Sequence, residues 1–223
     1  MWGRKSCQLT GWFGFNVFDR ETIFLIVDIF GIFVGALTGA LTGLRLRYDI
    51  MGIWFLALVT GLGGGIIRDT MLPLGAPLAL TNPFYLPTVM VAVVAVALFG
   101  RHINPLRKTI TALDAVALGN FAVAGTLRSF EADLSAWAAI LTGIVTAVGG
   151  GVLRDMMIGV TPAIFKRAEL YGIAALGACI TVILLRYIGV SREIMVLAGV
   201  SVGVFLRLGS LRWGWMSWEP RQS

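Results

Sequence analysis

The sequence predicts an all-α membrane protein with seven transmembrane helices, built as two inverted three-helix repeats plus a C-terminal helix. Three observations predict it. The 223 residues are 57% hydrophobic and 13% charged, with a mean hydropathy of +0.86, whereas about a quarter of a soluble domain's residues are charged. Apolar runs recur along nearly the whole chain, so hydrocarbon is its solvent. The string Gly-Gly-Gly-x-x-Arg-Asp occurs twice, at 63–69 and 149–155, 86 residues apart (149 − 63).

A membrane-crossing helix needs roughly 20 residues. The apolar runs place spans at 22–44, 50–72, 84–100, 109–127, 134–158, 168–188 and 193–208, the third and seventh being short. Residues 1–21 and 209–223 are tails. Arg4 and Lys5 are followed by a mixed polar and aromatic stretch, unlike a signal peptide's continuous apolar region. The first apolar segment is therefore expected to remain as a span. Pro87 marks the start of the third span or kinks it. Pro73, Pro77 and Pro83 in the first copy, and Pro162 in the second, end the glycine-bearing spans and shape the loops after them.

Seven spans put the termini on opposite sides. With the N-terminus outside, eleven basic residues fall on the cytoplasmic side, among them Arg45, Arg107, Arg154, Lys166 and Arg207, and seven fall outside, among them Arg68, Arg128, Arg186 and Arg192. Basic residues favour the cytoplasmic side, which gives N-out, C-in in the cell membrane. The net charge of +6 is spread over short loops; no patch has the extent that nucleic-acid binding needs, and none is expected.

The repeat extends beyond the glycine string. At the same offset Asp28 matches Asp114, Gly39 matches Gly125, Thr60 matches Thr146 and Tyr85 matches Tyr171. The first three spans (22–100) thus correspond to the next three (109–188), and the seventh stands alone. Because each copy holds an odd number of spans, the second copy enters the membrane upside down. Transporters and channels use such inverted pairs with the functional site at the midplane.

Gly63, Gly64 and Gly65 begin about fourteen residues into the second span, near mid-bilayer at 1.5 Å per residue. Gly149, Gly150 and Gly151 sit at the same depth in the fifth. Each interior glycine costs about 1 kcal/mol against alanine, so the triplets are expected to mark a bend or an unwound turn lining a polar path. Tight helix packing is the competing reading. Packing is expected for Gly31, Gly35, Gly39 and Gly43 of the first span, spaced every four residues.

Arg68 and Asp69, and likewise Arg154 and Asp155, follow the triplets. Intramembrane charges are rare and face a bundle interior or a cavity. Neighbouring helix positions point about 100° apart, so each Arg is expected to pair across the repeats or with backbone carbonyls instead of with its adjacent Asp. Clamp and conduction roles are both open for the four. Asp28 and Asp114, early in the first and fourth spans, either attract cations, carry a proton or cap a neighbouring helix. Lys166 and Arg167 fix topology at the cytoplasmic surface or contact anionic lipid headgroups.

Catalysis has little support. His102 has no acidic or cysteine partner nearby, and no nucleophile elbow, phosphate loop or zinc spacing is present. Cys7 and Cys179 lie far apart, so neither a disulfide nor a metal site is expected. Trp213, Trp215 and Trp218 have the character of an interfacial anchor.

Taken together, the two glycine strings, the Asp28 and Asp114 segments and Arg-Ala-Glu-Leu-Tyr at 167–171 resemble the trimeric intracellular cation (TRIC) channel superfamily in its prokaryotic branch, over about residues 22–208. The resemblance implies a homotrimer in which each subunit has its own pore, lined by the second and fifth spans at their glycines. It implies monovalent cations, chiefly potassium with sodium, as the permeant species, and no cofactor. Ligands to a passing ion would be helix carbonyls, the Thr60 and Thr146 hydroxyls and nearby carboxylates. Similar bacterial membrane proteins are described as glycine transporters, so secondary transport of a small amino acid is the alternative. The sequence departs from the family pattern after Asp69, where Leu74-Gly75-Ala76-Pro77-Leu78-Ala79 is more apolar.

Overall fold

The computed structural model describes residues 20–102, 106–166 and 170–215; the expectations for Cys7, Arg167 and Trp218 lie outside them. Among the described residues eight α-helices follow one another: α1 (Arg20–Arg45), α2 (Ile50–Met71), the one-turn α3 (Leu78–Thr81), α4 (Tyr85–Phe99), α5 (Leu106–Glu131), α6 (Ala136–Met157), α7 (Tyr171–Ile188) and α8 (Arg192–Trp213). Short 3-10 turns lie at Gly100–His102 and Ala163–Phe165. Six of the helices are long and apolar enough to cross a membrane. The seventh candidate, α4, has 15 residues and so measures about 22 Å at 1.5 Å per residue, short of a hydrocarbon core of about 30 Å. Pro87 sits in its first turn, where no helical hydrogen bond is lost. The last span proves longer than its hydropathy suggests: α8 runs on through Arg207 to Trp213.

Equivalent residues start equivalent helices. The Asp49 carboxylate accepts from the Gly52 N–H at 2.8 Å to cap α2, and Ser135, 86 residues later, accepts from the Ala138 N–H at 3.4 Å to cap α6. Gly189 and Gly214 end α7 and α8 at φ of 78° and 65°, a left-handed cap that favours glycine. Buried hydroxyls return to their own helices, as hydrocarbon requires: Thr42 donates to the Thr38 carbonyl at 2.7 Å and Thr126 to that of Ala122 at 2.8 Å.

Small residues let the backbones meet. A Cβ at Gly39 on α1 would lie 2.5 Å from the Leu56 carbonyl oxygen of α2, and one at Gly125 on α5 would lie 2.9 Å from the Thr142 carbonyl oxygen of α6. The packing expected for the first span's glycines is thus observed, and repeated in the second copy. α8 packs on α5 and α7, with Gly203 against Gly119 and Ala178.

At the centre α2 crosses α6. Gly64 meets the Thr146 carbonyl and Gly150 meets the Thr60 carbonyl. Numbers rise along one helix as they fall along the other, so the two helices run antiparallel. Both are continuous through their glycine triplets, which corrects the expectation of an unwound turn. The physical reason is that each triplet faces another backbone, and the close approach recovers in packing what glycine loses in helix propensity.

Candidate functional site

Two buried charge clusters flank the crossing. In the first, the Arg68 guanidinium of α2 donates from Nη1 to Asp28 Oδ1 at 2.7 Å, from Nη2 to Asp28 Oδ2 at 3.1 Å and from Nε to Asp69 Oδ1 at 2.7 Å. The Tyr85 hydroxyl of α4 donates to Asp28 Oδ2 at 2.6 Å, and the Leu78 N–H donates to Asp69 Oδ2 at 2.8 Å. Side-chain exposure is 0% for Arg68 and 1% for Asp28.

The second cluster repeats the first on α5 and α6. Arg154 donates from Nη1 to Asp114 Oδ1 at 2.8 Å and from Nε to Asp155 Oδ1 at 3.0 Å, while the Ala163 N–H donates to Asp155 Oδ2 at 3.1 Å. The Tyr171 hydroxyl lies beside Asp114, both close to where a Gly151 Cβ would stand. The Arg207 guanidinium sits over the Tyr171 ring, 4.7 Å from its centroid. The second cluster also reaches the first repeat: Arg154 Nη1 donates to the Thr38 hydroxyl of α1 at 3.4 Å.

The adjacent Arg and Asp therefore do pair in both copies, and the main partner of each Arg is the aspartate of its own repeat. This corrects the expectation of cross-repeat or carbonyl pairing. The guanidinium is long and forked, so Nε reaches the next residue's carboxylate while the far nitrogens reach another helix. Asp28 and Asp114 are ion-pair partners and do not cap a helix. The ion pairs of each cluster join one Arg to two Asp, a formal charge of −1, to which Arg207 adds a positive charge beside the second.

The remaining candidates divide between interfaces. Gly63, Gly64, Gly149 and Gly150 form the crossing, where a Cβ at Gly149 would lie 3.2 Å from the Gly64 Cα. Gly65 and Gly151 turn toward Arg68 and Tyr171. The Thr60 and Thr146 hydroxyls donate to the Leu56 and Thr142 carbonyls, each at 2.6 Å, and face Gly39 and Gly125. At the crossing, the carbonyls of these threonines take the place expected for their hydroxyls.

The clusters lie on opposite sides of the crossing, each five residues beyond it, and so about 15 Å apart along the axis at 1.5 Å per residue. They differ in access. A cavity of about 420 Å³ reaches Asp114, Arg154 and Asp155, with Arg45, Arg107, Lys166 and Arg207 around it. These are residues expected on one side of the membrane from the basic-residue count. Lys166 is exposed at its rim. On the Arg68 side, Phe24 covers the cluster, its ring centroid 5.2 Å from the Arg68 guanidinium carbon and 5.0 Å from that of Arg128.

Tyr85, Phe24, Thr38 and Arg207 are site residues that the motif did not single out. Only Tyr85 left a signal, its match to Tyr171 at the motif's own offset. Tyr85→Phe removes a donor from a sealed carboxylate and is expected to cost about 1–3 kcal/mol. Tyr171→Phe, whose neighbour Asp114 lines the cavity, should cost less. Thermal unfolding of the two variants in detergent tests the order.

Comparison with known proteins places this geometry. A family model described as "Glycine transporter" matches residues 25–101 and again 111–187, two matches 86 residues apart. The UPF0126 inner membrane protein YadS of Escherichia coli is 33% identical over 189 residues, covering 84% of this chain and 91% of that protein. A UPF0126 membrane protein of Deinococcus radiodurans is 33% identical over 150 residues, covering 67% and 70%. Among solved structures, the TRIC trimeric intracellular cation channel orthologue from Rhodobacter sphaeroides superposes with a TM-score of 0.82 at 34% identity, over 87% of this chain and 100% of that one. A prokaryotic TRIC channel in 0.5 M KCl superposes at 0.79 with 26% identity, over 87% and 98%.

Proposed function

The chain belongs to the UPF0126 membrane-protein family, in the prokaryotic branch of the trimeric intracellular cation channel superfamily, and from that premise we propose that it is a potassium-permeable monovalent-cation channel. The observation that carries this reading is the pair of buried clusters, each one Arg between two Asp, on opposite sides of one antiparallel helix crossing. At the Arg68 cluster, a formal charge of −1 in a low-dielectric interior favours a cation over an anion. The proposed path in each subunit runs from the cavity past Asp114 and Arg154, through the α2–α6 crossing, to Asp28 and Arg68. With the glycines in contact the crossing is closed. Parting the helices by an ion's width would leave the Thr60 and Thr146 carbonyl oxygens facing the gap, where they replace water around the ion. The assembly is a homotrimer in the cell membrane, with the N-terminus outside and the cavity on the cytoplasmic side.

A specific observation favours a second reading, secondary transport of a small amino acid such as glycine. Among the described residues the cavity reaches the Arg154 cluster and not the Arg68 cluster, an asymmetry that alternating access uses, and the basic groups around it suit a carboxylate. Purified protein in planar bilayers under a potassium gradient separates the two. Unitary current steps that reverse near the potassium equilibrium potential are expected. Saturable glycine uptake without unitary currents would replace the channel by the transporter.

A further inference from the structure

The difference in access between the two clusters traces to two side chains. At the repeat offset of 86, Arg68, Asp28, Phe24 and Arg128 correspond to Arg154, Asp114, Ile110 and Thr42. All four of the latter line the open cavity. Where the second copy carries isoleucine and threonine, the first carries an aromatic ring in contact with two guanidinium groups, 5.2 and 5.0 Å from its centroid, and the ring is buried against Val27 and Ala124. Arg128 is anchored in turn: it donates to Glu131 at 2.9 Å, and Glu131 also accepts from Arg192 at the start of α8. Repulsion between the two cations is offset because each has its own carboxylate and each contacts the negative face of the ring.

We propose that Phe24, in cation–π contact with both Arg68 and Arg128, is a plug that seals the Arg68 face, and that the Ile110 and Thr42 pair is the same position left open on the Arg154 face. The proposal deepens the channel reading by naming its closed gate. It commits to a mechanical consequence: moving Arg128, through Glu131 and Arg192, couples the plug to α8. The seal follows from side-chain size and cation–π contact and needs no difference in backbone between the copies.

Exchanging the pairs tests it without any need for flux. In a background free of native cysteines, Val27→Cys reports on the Arg68 face and Ile158→Cys on the cavity. Each is probed with a membrane-impermeant cationic thiol reagent in vesicles of either orientation. Phe24→Ile with Arg128→Thr should speed labelling at position 27 at least about tenfold, the factor given by about 1.4 kcal/mol in a closed–open balance. The reverse graft, Ile110→Phe with Thr42→Arg, should slow labelling at position 158. Unfolding can only speed labelling, so the second graft stands even where the first disturbs the fold. Unchanged labelling at position 27 in a folded trimer, or no slowing at position 158, overturns the plug. Both labelling changes in a protein that passes no cation current would keep the plug and remove the channel.

Discussion

Leucine at Gly64 or at Gly150 is expected to abolish flux, and alanine at either position to destabilise the fold. A Cβ at Gly64 would stand 2.3 Å from the Thr146 carbonyl oxygen, and one at Gly150 would stand 2.2 Å from that of Thr60. Both obstacles are backbone of a helix that is itself packed, so no rotamer change relieves them and α2 must move off α6. Overpacking of this kind costs about 1–3 kcal/mol, against which alanine recovers up to about 1 kcal/mol of helix propensity. Gly65 is the internal control. Its Cβ would meet only Arg68 Nη2, at 3.7 Å, so Gly65→Ala should be neutral or stabilising although it sits in the same triplet. Unfolding midpoints in detergent check the stability order and single-channel or flux measurements check the path. Unchanged flux in both leucine variants removes the crossing from the path.

The same triplets show where sequence reading succeeds and where it stops. The offset of 86 located the Asp members, Arg68, Arg154 and the two tyrosines of the clusters but not Phe24, Thr38 or Arg207, because duplicated partners keep the duplication's spacing whatever the fold does. Helix positions were legible because hydrocarbon imposes length and polarity on each span. What each glycine faces was not legible. Three glycines produce one sequence signal whether they unwind a helix or admit a neighbour, and only the presence of α6 opposite α2 decides between them. The Arg68–Asp69 pairing was missed for a related reason: the 100° between neighbouring Cα–Cβ vectors ignores the length of the guanidinium arm. The length of α8 was underestimated because Arg207 and Arg212 lower the local hydropathy, whereas Arg207 is buried over the Tyr171 ring. Phe24 belongs to no motif, and its role emerges only from what its counterpart Ile110 leaves open.

Removing Arg68 should damage the protein far more than removing Arg154, although the two are equivalent in sequence. Arg68→Leu leaves the Asp28 and Asp69 carboxylates near one another under Phe24. Asp28 is sealed from solvent there and Asp69 is largely buried, and only Tyr85 and the Leu78 N–H remain as donors. Breaking a buried pair by deleting one partner costs about 3–5 kcal/mol, a large fraction of the 5–15 kcal/mol that holds a folded domain together. Loss of folded trimer from the membrane is the expected result. Arg154→Leu exposes Asp114 and Asp155 to the cavity, where water and the neighbouring Arg45, Arg107 and Lys166 compensate the charge. That variant should fold and show altered flux. Arg68→Lys tests the geometry separately from the charge: a single ammonium cannot serve both Asp28 oxygens and Asp69 as the fork does, so it should fall between wild type and Arg68→Leu. In a double-mutant cycle, Asp28→Leu should restore part of the Arg68→Leu loss, since an apolar pair is less costly than one stranded carboxylate. Equal losses at Arg68 and Arg154 would mean that solvent reaches both clusters alike, and that the one-sided cavity does not describe the protein in the membrane.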